Sequence, residues 1–330
     1  MGIPRVLITG YPKFLNFDGN PSEKALSILK ESNIQNIDIF TELLSVDKKG
    51  SDKVCHKMIS GYNFDAVIHL GFSASSKKIR FERYAYNQYK MDQPDECGRQ
   101  LNHCKIINDG KDRLRTNVNE ILITKEFQND SRVEWSVDPG RFICNETYFK
   151  TLNQMYNEEK ETKVLFVHLP HEIILNIDEQ LEIIIRLLKC ILKPYIEVVG
   201  GLIFDRNQRI LSCRRPDGKS WPFWWEFPGG KIESGETPVE ALSRELREEL
   251  SLDITPSNII AEQLFEYDDK YIKLLILNCG IVEEVDIELL VHDKMKWLQQ
   301  GDILQVNWLP ADLPIIKRWI EEGFPIPCQY

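Results

Sequence analysis

The sequence predicts an α/β protein composed of two domains, residues 1–194 and 195–330. The chain has 330 residues, which is more than one ordinary hydrophobic core organises. In the first domain, short apolar runs alternate with helical stretches, and this order is typical of an α/β/α layered fold with a largely parallel sheet. In the second domain, strand-like runs precede one amphipathic, glutamate-rich helix near residues 237–250.

The elements of the first domain follow from apolar runs and from residues that begin or end helices. Strands are expected at Arg5–Thr9, Ile37–Leu44, Ala66–Leu70 and Val164–Val167. Helices are expected to open at Asn20 and to lie near Asp52–Ser60, Val118–Phe127 and Phe142–Asn157. A closing helix, Asp178–Leu192, has Asn176 as a candidate cap and ends before Pro194.

The second domain opens with two strands, Tyr195–Phe204 and Arg209–Arg215, which a short polar turn joins. Beyond the glutamate-rich helix, Tyr271–Leu277 is expected to form a buried strand. The apolar segment Ile287–Val291 follows, but its pattern does not distinguish a helix from a strand.

Composition and charge restrict the class of protein. An apolar content of 42% and a charged content of 28% are typical of a soluble globular protein, and no apolar run has the length of a membrane span. A net charge of −10 disfavours nucleic acid as a partner, whereas nucleotides remain compatible because a metal ion offsets carboxylate charge.

The eight cysteines form no CxxC pair, and no signal-peptide pattern opens the chain, so reduced thiols and a cytoplasmic location are expected. Cys97, His103 and Cys104 lack a second pair of metal ligands and are interpreted as structural.

The most informative stretch is Trp225–Leu252, in which a glycine-containing loop precedes a capped helix. Thr237 and Glu240 have the spacing of a capping box. Three further glutamates occupy one arc of this helix: Glu245, Glu248 and Glu249. Like charges four residues apart destabilise a bare helix, so the arrangement indicates a bound cation. Mg²⁺ prefers carboxylate oxygens and leaves open positions for substrate phosphates, and Mn²⁺ is an alternative.

This stretch resembles the conserved box of the Nudix hydrolases. The residues that match are Gly230, Glu236, Arg244, Glu245, Leu246, Glu248, Glu249 and Leu252, whereas Ser251 stands where the family has glycine. The resemblance implies an α/β/α sandwich with a mixed sheet, metal binding by the three arc glutamates and catalysis by Glu248 and Glu245. It also implies that Gly229 and Gly230 pass close to the phosphates. The expected reaction converts a nucleoside triphosphate, modified or not, to the monophosphate and pyrophosphate.

Two segments outside the box bear on the nucleotide. The first is the aromatic run Trp221, Phe223, Trp224 and Trp225, which could stack on a base, although core packing is the preferred interpretation for most of it. The second, Leu309–Ile316, resembles the PAD-x-P segment of the CTP pyrophosphohydrolase branch. There Asp312 would accept a hydrogen bond from a base, and an N-terminal helix position is the equal alternative.

A position near His292 departs from the Nudix pattern. Many relatives have a glutamate immediately before this histidine, whereas this chain has Val291. Any role of that glutamate must therefore pass to Asp293, to Glu288 or to a glutamate of the box.

Three residues of the first domain have the chemistry of a thiol hydrolase. Cys144 lies at the expected start of a helix, where the helix dipole favours the nucleophilic thiolate form of a cysteine. His168 follows a buried strand, and Glu82 is a candidate to orient its imidazole. Taken singly, each residue is explained at least as well by a structural role in the core.

The same segments resemble pyroglutamyl peptidase I, a family of cysteine peptidases that removes an N-terminal pyroglutamate. The matching segments occur in the family's order over residues 1–190: Thr9–Phe14, Asn20–Ser22, Glu82 with Ala85 and Asn87, Pro94-Asp95 with Gly98, and the segments around Cys144 and His168. The resemblance implies a catalytic triad of Cys144, His168 and Glu82, with Tyr11, Phe14 and Phe72 in the substrate-binding loops. Residues 72–78 replace a glycine-rich stretch that carries Gln and Arg in the family, which leaves two alternatives to the family's own activity: a changed amide substrate or a low activity.

Three hypotheses follow from these patterns. The chain is a hydrolase with a nucleotide site and a thiol peptidase site, or a Nudix enzyme whose first domain is a non-catalytic binding or regulatory module, or a nucleotide sensor. The expected ligands are a small-molecule nucleotide and an N-terminally blocked peptide or another lactam or amide. The patterns do not predict binding to a membrane, and they leave the oligomeric state open.

Overall fold

The computed structural model describes residues 3–14, 19–32 and 34–327, and these divide into two compact units, Met1–Leu192 and Lys193–Tyr330. Both units are mixed α/β structures, as predicted. Among the described residues, no helix is long and apolar enough to cross a membrane.

The first unit contains eight strands and five helices among its described residues. In chain order these are β1 (Arg5–Gly10), α1 (Pro21–Glu31), β2 (Asp38–Leu43), α2 (Lys48–Ile59), β3 (Ala66–Phe72), β4 (Ile79–Glu82), β5 (Tyr84–Tyr86), β6 (Arg113–Arg115), α3 (Glu120–Glu126), β7 (Val133–Ser136), α4 (Ile143–Asn157), β8 (Lys163–Leu169) and α5 (Ile177–Leu192). All the predicted strands and helices of this unit are present, with ends that differ by a few residues.

The main sheet of this unit has the order β2-β1-β3-β8-β4-β7. Its first four strands are mutually parallel, as predicted, whereas β4 is antiparallel to β8 and β7 is parallel to β4. The central strands β3 and β8 are almost entirely buried, as expected for strands covered on both faces. Strands β4 and β7 were not predicted, because each has only four residues and no long apolar run.

Local capping explains two helix boundaries. Helix α2 begins at Lys48, four residues before the predicted start, because the Asp47 side chain caps it by accepting a hydrogen bond from the Gly50 N–H at 2.8 Å. Asn176, the predicted cap of α5, accepts a hydrogen bond from the Glu179 N–H at 3.0 Å.

The second unit contains six strands and two α-helices among its described residues. In chain order these are β9 (Tyr195–Phe204), β10 (Ile210–Arg214), β11 (Trp225–Glu226), α6 (Pro238–Leu250), β12 (Ile259–Glu266), β13 (Tyr271–Ile281), β14 (Lys294–Leu298) and α7 (Leu313–Glu322). The sheet has the order β11-β10-β9-β13-β12, and β14 also pairs with β10. It is mixed, as predicted, because β9 and β13 are parallel and the other pairs are antiparallel.

This sheet lies between two hydrophobic clusters, and each cluster contains one helix. One cluster holds the apolar stripe of α6: Ala241, Leu242, Leu246 and Leu250. The other holds Ile315, Ile316 and Trp319 of α7. The predicted α/β/α sandwich is therefore present. The segment Ile287–Val291 forms neither a helix nor a strand. It follows a single 3₁₀ turn, Glu284–Asp286, and leads into β14.

Helix α6 has the predicted boundaries. Thr237 and Glu240 form a reciprocal capping box, and Pro238 occupies the first turn. At the other end, Ser251 has a φ of 57°, which is the left-handed conformation that glycine adopts without strain. The serine therefore retains the exit geometry of a glycine, although that backbone conformation is less favourable for it.

Candidate active sites

The first candidate site lies where parallel strands end beside the N-terminus of α4. Cys144 is the second residue of α4, and Gly71 and His168 are register partners near the ends of β3 and β8. A Cβ atom at Gly71 would lie 3.2 Å from the Cys144 Sγ and 2.7 Å from the Phe166 ring. Glycine is therefore required at this position to admit the sulfur. Ligand sites commonly occur at the carboxyl ends of parallel strands, and this arrangement fits that rule.

The first turn of α4, which carries Cys144, is held in place by the next two residues of the helix. Asn145 accepts a hydrogen bond from the Tyr86 N–H at 2.8 Å. Buried Glu146 accepts hydrogen bonds from Arg99 at 2.6 Å, Lys150 at 2.6 Å and Ser51 at 2.9 Å. These cations keep the pKa of Glu146 below its usual value in spite of its burial, which acts in the opposite direction. The N-terminal turn of α4 is thus fixed from both sides.

Glu82, His168 and Cys144 form a connected row. The His168 Nδ1 lies 2.8 Å from the Glu82 Oε1, and the His168 ring lies close enough to the Cys144 side chain for the two groups to interact. Because an ionised carboxylate can only accept hydrogen bonds, the His168 Nδ1–H donates to Glu82, and the other ring nitrogen, Nε2, is left to face the Cys144 sulfur. Burial lowers the pKa of His168, but its interactions with Cys144 and Glu82 outweigh burial and raise this pKa to about 9, which favours the imidazolium form. The arrangement places a nucleophile next to an imidazole that a carboxylate orients and that can exchange a proton with the sulfur.

A pocket of about 140 Å³ opens beside Cys144. Its lining includes Tyr11, Phe14, Phe72, Gln93, Phe142 and Cys144. The rings of Phe14 and Phe142 stack with centroids 5.9 Å apart. The structure therefore brings the three predicted substrate-binding residues of this domain together beside the predicted nucleophile. Sequence reasoning did not single out Gln93 or Phe142, because nothing local marks either residue as part of a pocket.

The second candidate site lies between α6 and the Gly229–Gly230 loop of the second unit. The Gly229 N–H donates a hydrogen bond to the Glu249 Oε2 at 2.9 Å. A Cβ atom at Gly230 would lie only 2.4 Å from the Glu245 carboxylate. Burial raises the pKa of Glu249 to about 7, and the nearby Glu226 and Glu245 carboxylates act in the same direction. The loop and the helix thus enclose a group of carboxylates that repel one another.

Arg244 holds three glutamates of this region. It donates to Glu236 at 2.7 Å, to Glu245 at 2.8 Å and to Glu248 at 3.4 Å. The Glu248 side chain is 58% exposed, against 15% for Glu245 and 13% for Glu249. Consequently, no three His, Cys, Asp or Glu side chains in the described part of the chain are arranged to hold a metal ion as they stand. The donor chemistry nevertheless suits a hard cation, because the Glu245 and Glu249 carboxylates both lie against the Gly229–Gly230 loop.

Glu226 and His292 belong to the same group. The His292 Nε2 lies 3.1 Å from the Glu226 Oε1, and its Nδ1 lies 4.0 Å from the Glu249 Oε2 and has no hydrogen-bond partner among the described residues. Asp293 is instead paired with Arg214 at 2.6 Å. Sequence reasoning missed Glu226, although alternation in β11 could have indicated it, since Trp225 faces the core and Glu226 must face the other way.

Asp312 is buried beside the same edge of the sheet. Its Oδ1 accepts a hydrogen bond from the Phe227 N–H at 3.2 Å. Burial, reinforced by the Glu226 charge, raises the pKa of Asp312 well above its usual value. Asp312 also occupies the N-cap position of α7, as the alternative interpretation expected, although its side chain makes no capping hydrogen bond.

The aromatic run divides between core and surface. Trp225 packs in the core, whereas Trp221 is 40% exposed and Phe223 is 51% exposed. Trp221 contacts Trp224 and Tyr267, with ring centroids 4.9 and 6.0 Å apart. The prediction that most of this run packs in the core is therefore wrong for Trp221 and Phe223. Both have positive φ, 57° and 66°, in the turn that follows β10, and this turn directs the segment outward.

The Gly230 position provides a test of the close approach between loop and helix. Replacing Gly230 with alanine is expected to lower nucleotide hydrolysis about tenfold or more, because the new methyl group displaces the Glu245 carboxylate. Steady-state kinetics with a nucleoside triphosphate measure the effect. Gly301→Ala is the matched control, because a Cβ atom there meets nothing within 4 Å. Equal activity of the two variants would contradict the proposed importance of this contact.

The folds and the two sites define a chain composed of two hydrolase domains. Residues 4–189 match the family model described as pyroglutamyl peptidase, and residues 194–323 match the NUDIX domain model. The chain therefore belongs to the pyroglutamyl peptidase family in its first part and to the Nudix hydrolases in its second, as the resemblances predicted.

Individual relatives agree with this assignment. The second part is 32% identical over 125 residues to a CTP pyrophosphohydrolase of Escherichia coli K12, covering 38% of this chain and 91% of that protein. The first part is 27% identical over 168 residues to a pyrrolidone-carboxylate peptidase of Oceanobacillus iheyensis, covering 50% of this chain and 83% of that protein. The solved structure of a pyrrolidone carboxyl peptidase from Fervidobacterium islandicum AW-1 superposes with a TM-score of 0.52 at 26% identity, over 56% of this chain and 97% of that one.

Proposed function

We propose that this chain is a hydrolase with two active sites, a metal-dependent nucleotide site in the second unit and a thiol amidase site in the first. The proposal for the second unit is supported above all by the buried Glu249, which lies among other carboxylates and against the Gly229 N–H. Negative charge gathered in this way is stabilised by a cation.

We assign Glu245, Glu248 and Glu249 to Mg²⁺, with Mn²⁺ as the alternative ion. Binding requires the exposed Glu248 side chain to turn towards the other two. A divalent ion there supplies the positive charge that a diphosphate needs during phosphoryl transfer. Arg244 keeps Glu245 in position, and the loop at Gly229 and Gly230 allows the phosphates to approach the backbone. Glu248 or Glu245 accepts the proton of the attacking water.

The substrate proposed for this site is a nucleoside triphosphate, ordinary or modified, cleaved to the monophosphate and pyrophosphate. The relative named as a CTP pyrophosphohydrolase supports this class. Within the chain, Asp312 is the group assigned to a hydrogen bond with the edge of a base, and its Oδ1 already accepts from the Phe227 N–H. Trp221 and Tyr267 lie close enough to each other to form an aromatic surface for it.

For the first unit we propose hydrolysis of an N-terminal lactam or related amide. Cys144 is the nucleophile, His168 transfers the proton, and Glu82 orients the imidazole. The hydrogen-bonded row of these three side chains supports the proposal. A second candidate makes this unit a lactam-binding module without turnover. It is favoured by residues 72–78, which replace the glycine-rich stretch implied by the resemblance and which place Phe72 in the pocket lining.

A nucleotide panel tests the proposal for the second unit. With Mg²⁺, the full chain should release pyrophosphate and no inorganic phosphate from its preferred triphosphate. The panel should include CTP, dCTP and oxidised or methylated nucleotides, with a non-hydrolysable α,β-methylene triphosphate as the control that should not react. Release of inorganic phosphate, or hydrolysis that is unaffected by a chelator, would refute it.

A further inference from the structure

The pocket beside Cys144 is lined mainly by apolar side chains, and most of its polar groups are already engaged. The Tyr11 hydroxyl donates a hydrogen bond to Thr147 at 2.8 Å. The Asn20 side chain donates to the Pro12 carbonyl at 3.1 Å and accepts from the Ser22 hydroxyl at 2.7 Å. The Cys144 side chain interacts with the His168 imidazole. None of these groups is free to recognise the polar part of a ligand.

Gln93 is the exception. Its side chain is half-buried in the pocket lining and makes no side-chain hydrogen bond to any described residue. The loop that carries it is anchored on both sides, since the Met91 N–H donates to the Leu101 carbonyl at 3.0 Å and the Asp95 N–H donates to the Arg99 carbonyl at 2.9 Å. The loop therefore places in the pocket lining a carboxamide that has no side-chain hydrogen-bond partner among the described residues.

We propose that Gln93 determines the specificity of this pocket by pairing its carboxamide with the amide edge of a lactam ring. The inference rests on the amide hydrolysis proposed for Cys144 and names the group that selects the substrate. A carboxamide presents one donor and one acceptor side by side. A ring amide is held cis, so its N–H and C=O point to the same side and can pair with both. An ordinary peptide amide is trans and offers only one of the two groups in that direction.

The remaining surface of the pocket suits the rest of such a ring. Phe14 and Phe142 provide an apolar face for the methylene groups. Phe72, at the end of β3, adds a further apolar side chain to the lining.

The contribution of this pairing is measured by comparing kcat/KM for two substrates whose rings have the same size. One is a pyroglutamyl anilide, and the other is the cyclopentanecarbonyl anilide, whose ring has no amide. Gln93→Leu is expected to lower kcat/KM for the lactam about tenfold or more, mainly through KM, and to leave the carbocyclic substrate unchanged. Gln93→Glu, which keeps the shape but loses the donor, should show an intermediate loss. Gln128→Leu, on the exposed surface, is the matched control.

A binding measurement separates failure of this inference from failure of the proposed hydrolysis. Iodoacetamide labelling of Cys144 is followed by mass spectrometry of its peptide, with 2-pyrrolidinone as the protecting lactam and cyclopentanone as the control. The lactam should slow labelling of the parent chain and not of Gln93→Leu, while both label equally fast without it. Gln93-dependent protection without turnover supports the inference and refutes the hydrolysis. Equal protection of parent and variant, or none in either, overturns the inference whatever the turnover.

Discussion

Cys144→Ala is expected to abolish hydrolysis of a pyroglutamyl anilide, with a loss on the order of 10³-fold or more, because it removes the nucleophile of the triad. Release of the anilide, followed by absorbance, measures the loss. His168→Ala should cause a loss of similar size, since residues that act as one unit do not contribute additively. Hydrolysis of a nucleoside triphosphate by the same variants should be unchanged.

Cys104→Ala is the matched control for the thiol site, because Cys104 is an exposed free cysteine outside the pocket. It should retain full activity on the anilide. If Cys144→Ala alters no activity on any amide substrate, the two-site hydrolase is wrong and the first unit is a binding module. If Cys104→Ala is as inactive as Cys144→Ala, the assigned nucleophile is wrong.

Glu249→Gln is expected to lower nucleotide hydrolysis on the order of 10²-fold or more, because it replaces a metal-binding carboxylate by a neutral amide of the same shape. The metal-free variant should unfold at the same temperature as the parent chain or at a higher one. The reason is that burial raises the pKa of Glu249 to about 7, so folding disfavours its ionised form and a neutral amide loses nothing. Addition of Mg²⁺ should raise the Tm of the parent more than that of the variant.

Glu321→Gln is the control for this prediction, because Glu321 is exposed near the end of α7. It should leave both the activity and the effect of Mg²⁺ unchanged. Wild-type activity of Glu249→Gln, with an undiminished rise in Tm on addition of Mg²⁺, would show that the carboxylate does not bind the ion.

Much of the fold was predictable because its signals are local. The capping box of α6, the cap of α5 and the buried strand β9 each depend on residues a few positions apart. Short elements without such signals, including β4, β11 and β14, were not predicted, because they exist only through pairing with distant strands.

The features of the two sites also divide into those that the sequence predicted and those that only the structure showed. The sequence by itself determined the two families and the carboxylate-rich face of α6, because these rest on residue types and on spacing within single segments. The candidate triad, whose members lie far apart in the chain, came from the resemblance to the peptidase family. Only the tertiary structure decided that Glu226 and His292 join Glu249, that Glu248 is exposed and that Gln93 faces the thiol pocket. Each of these depends on contacts between residues far apart in the chain, and local spacing carries no information about how separate strands and loops pack together.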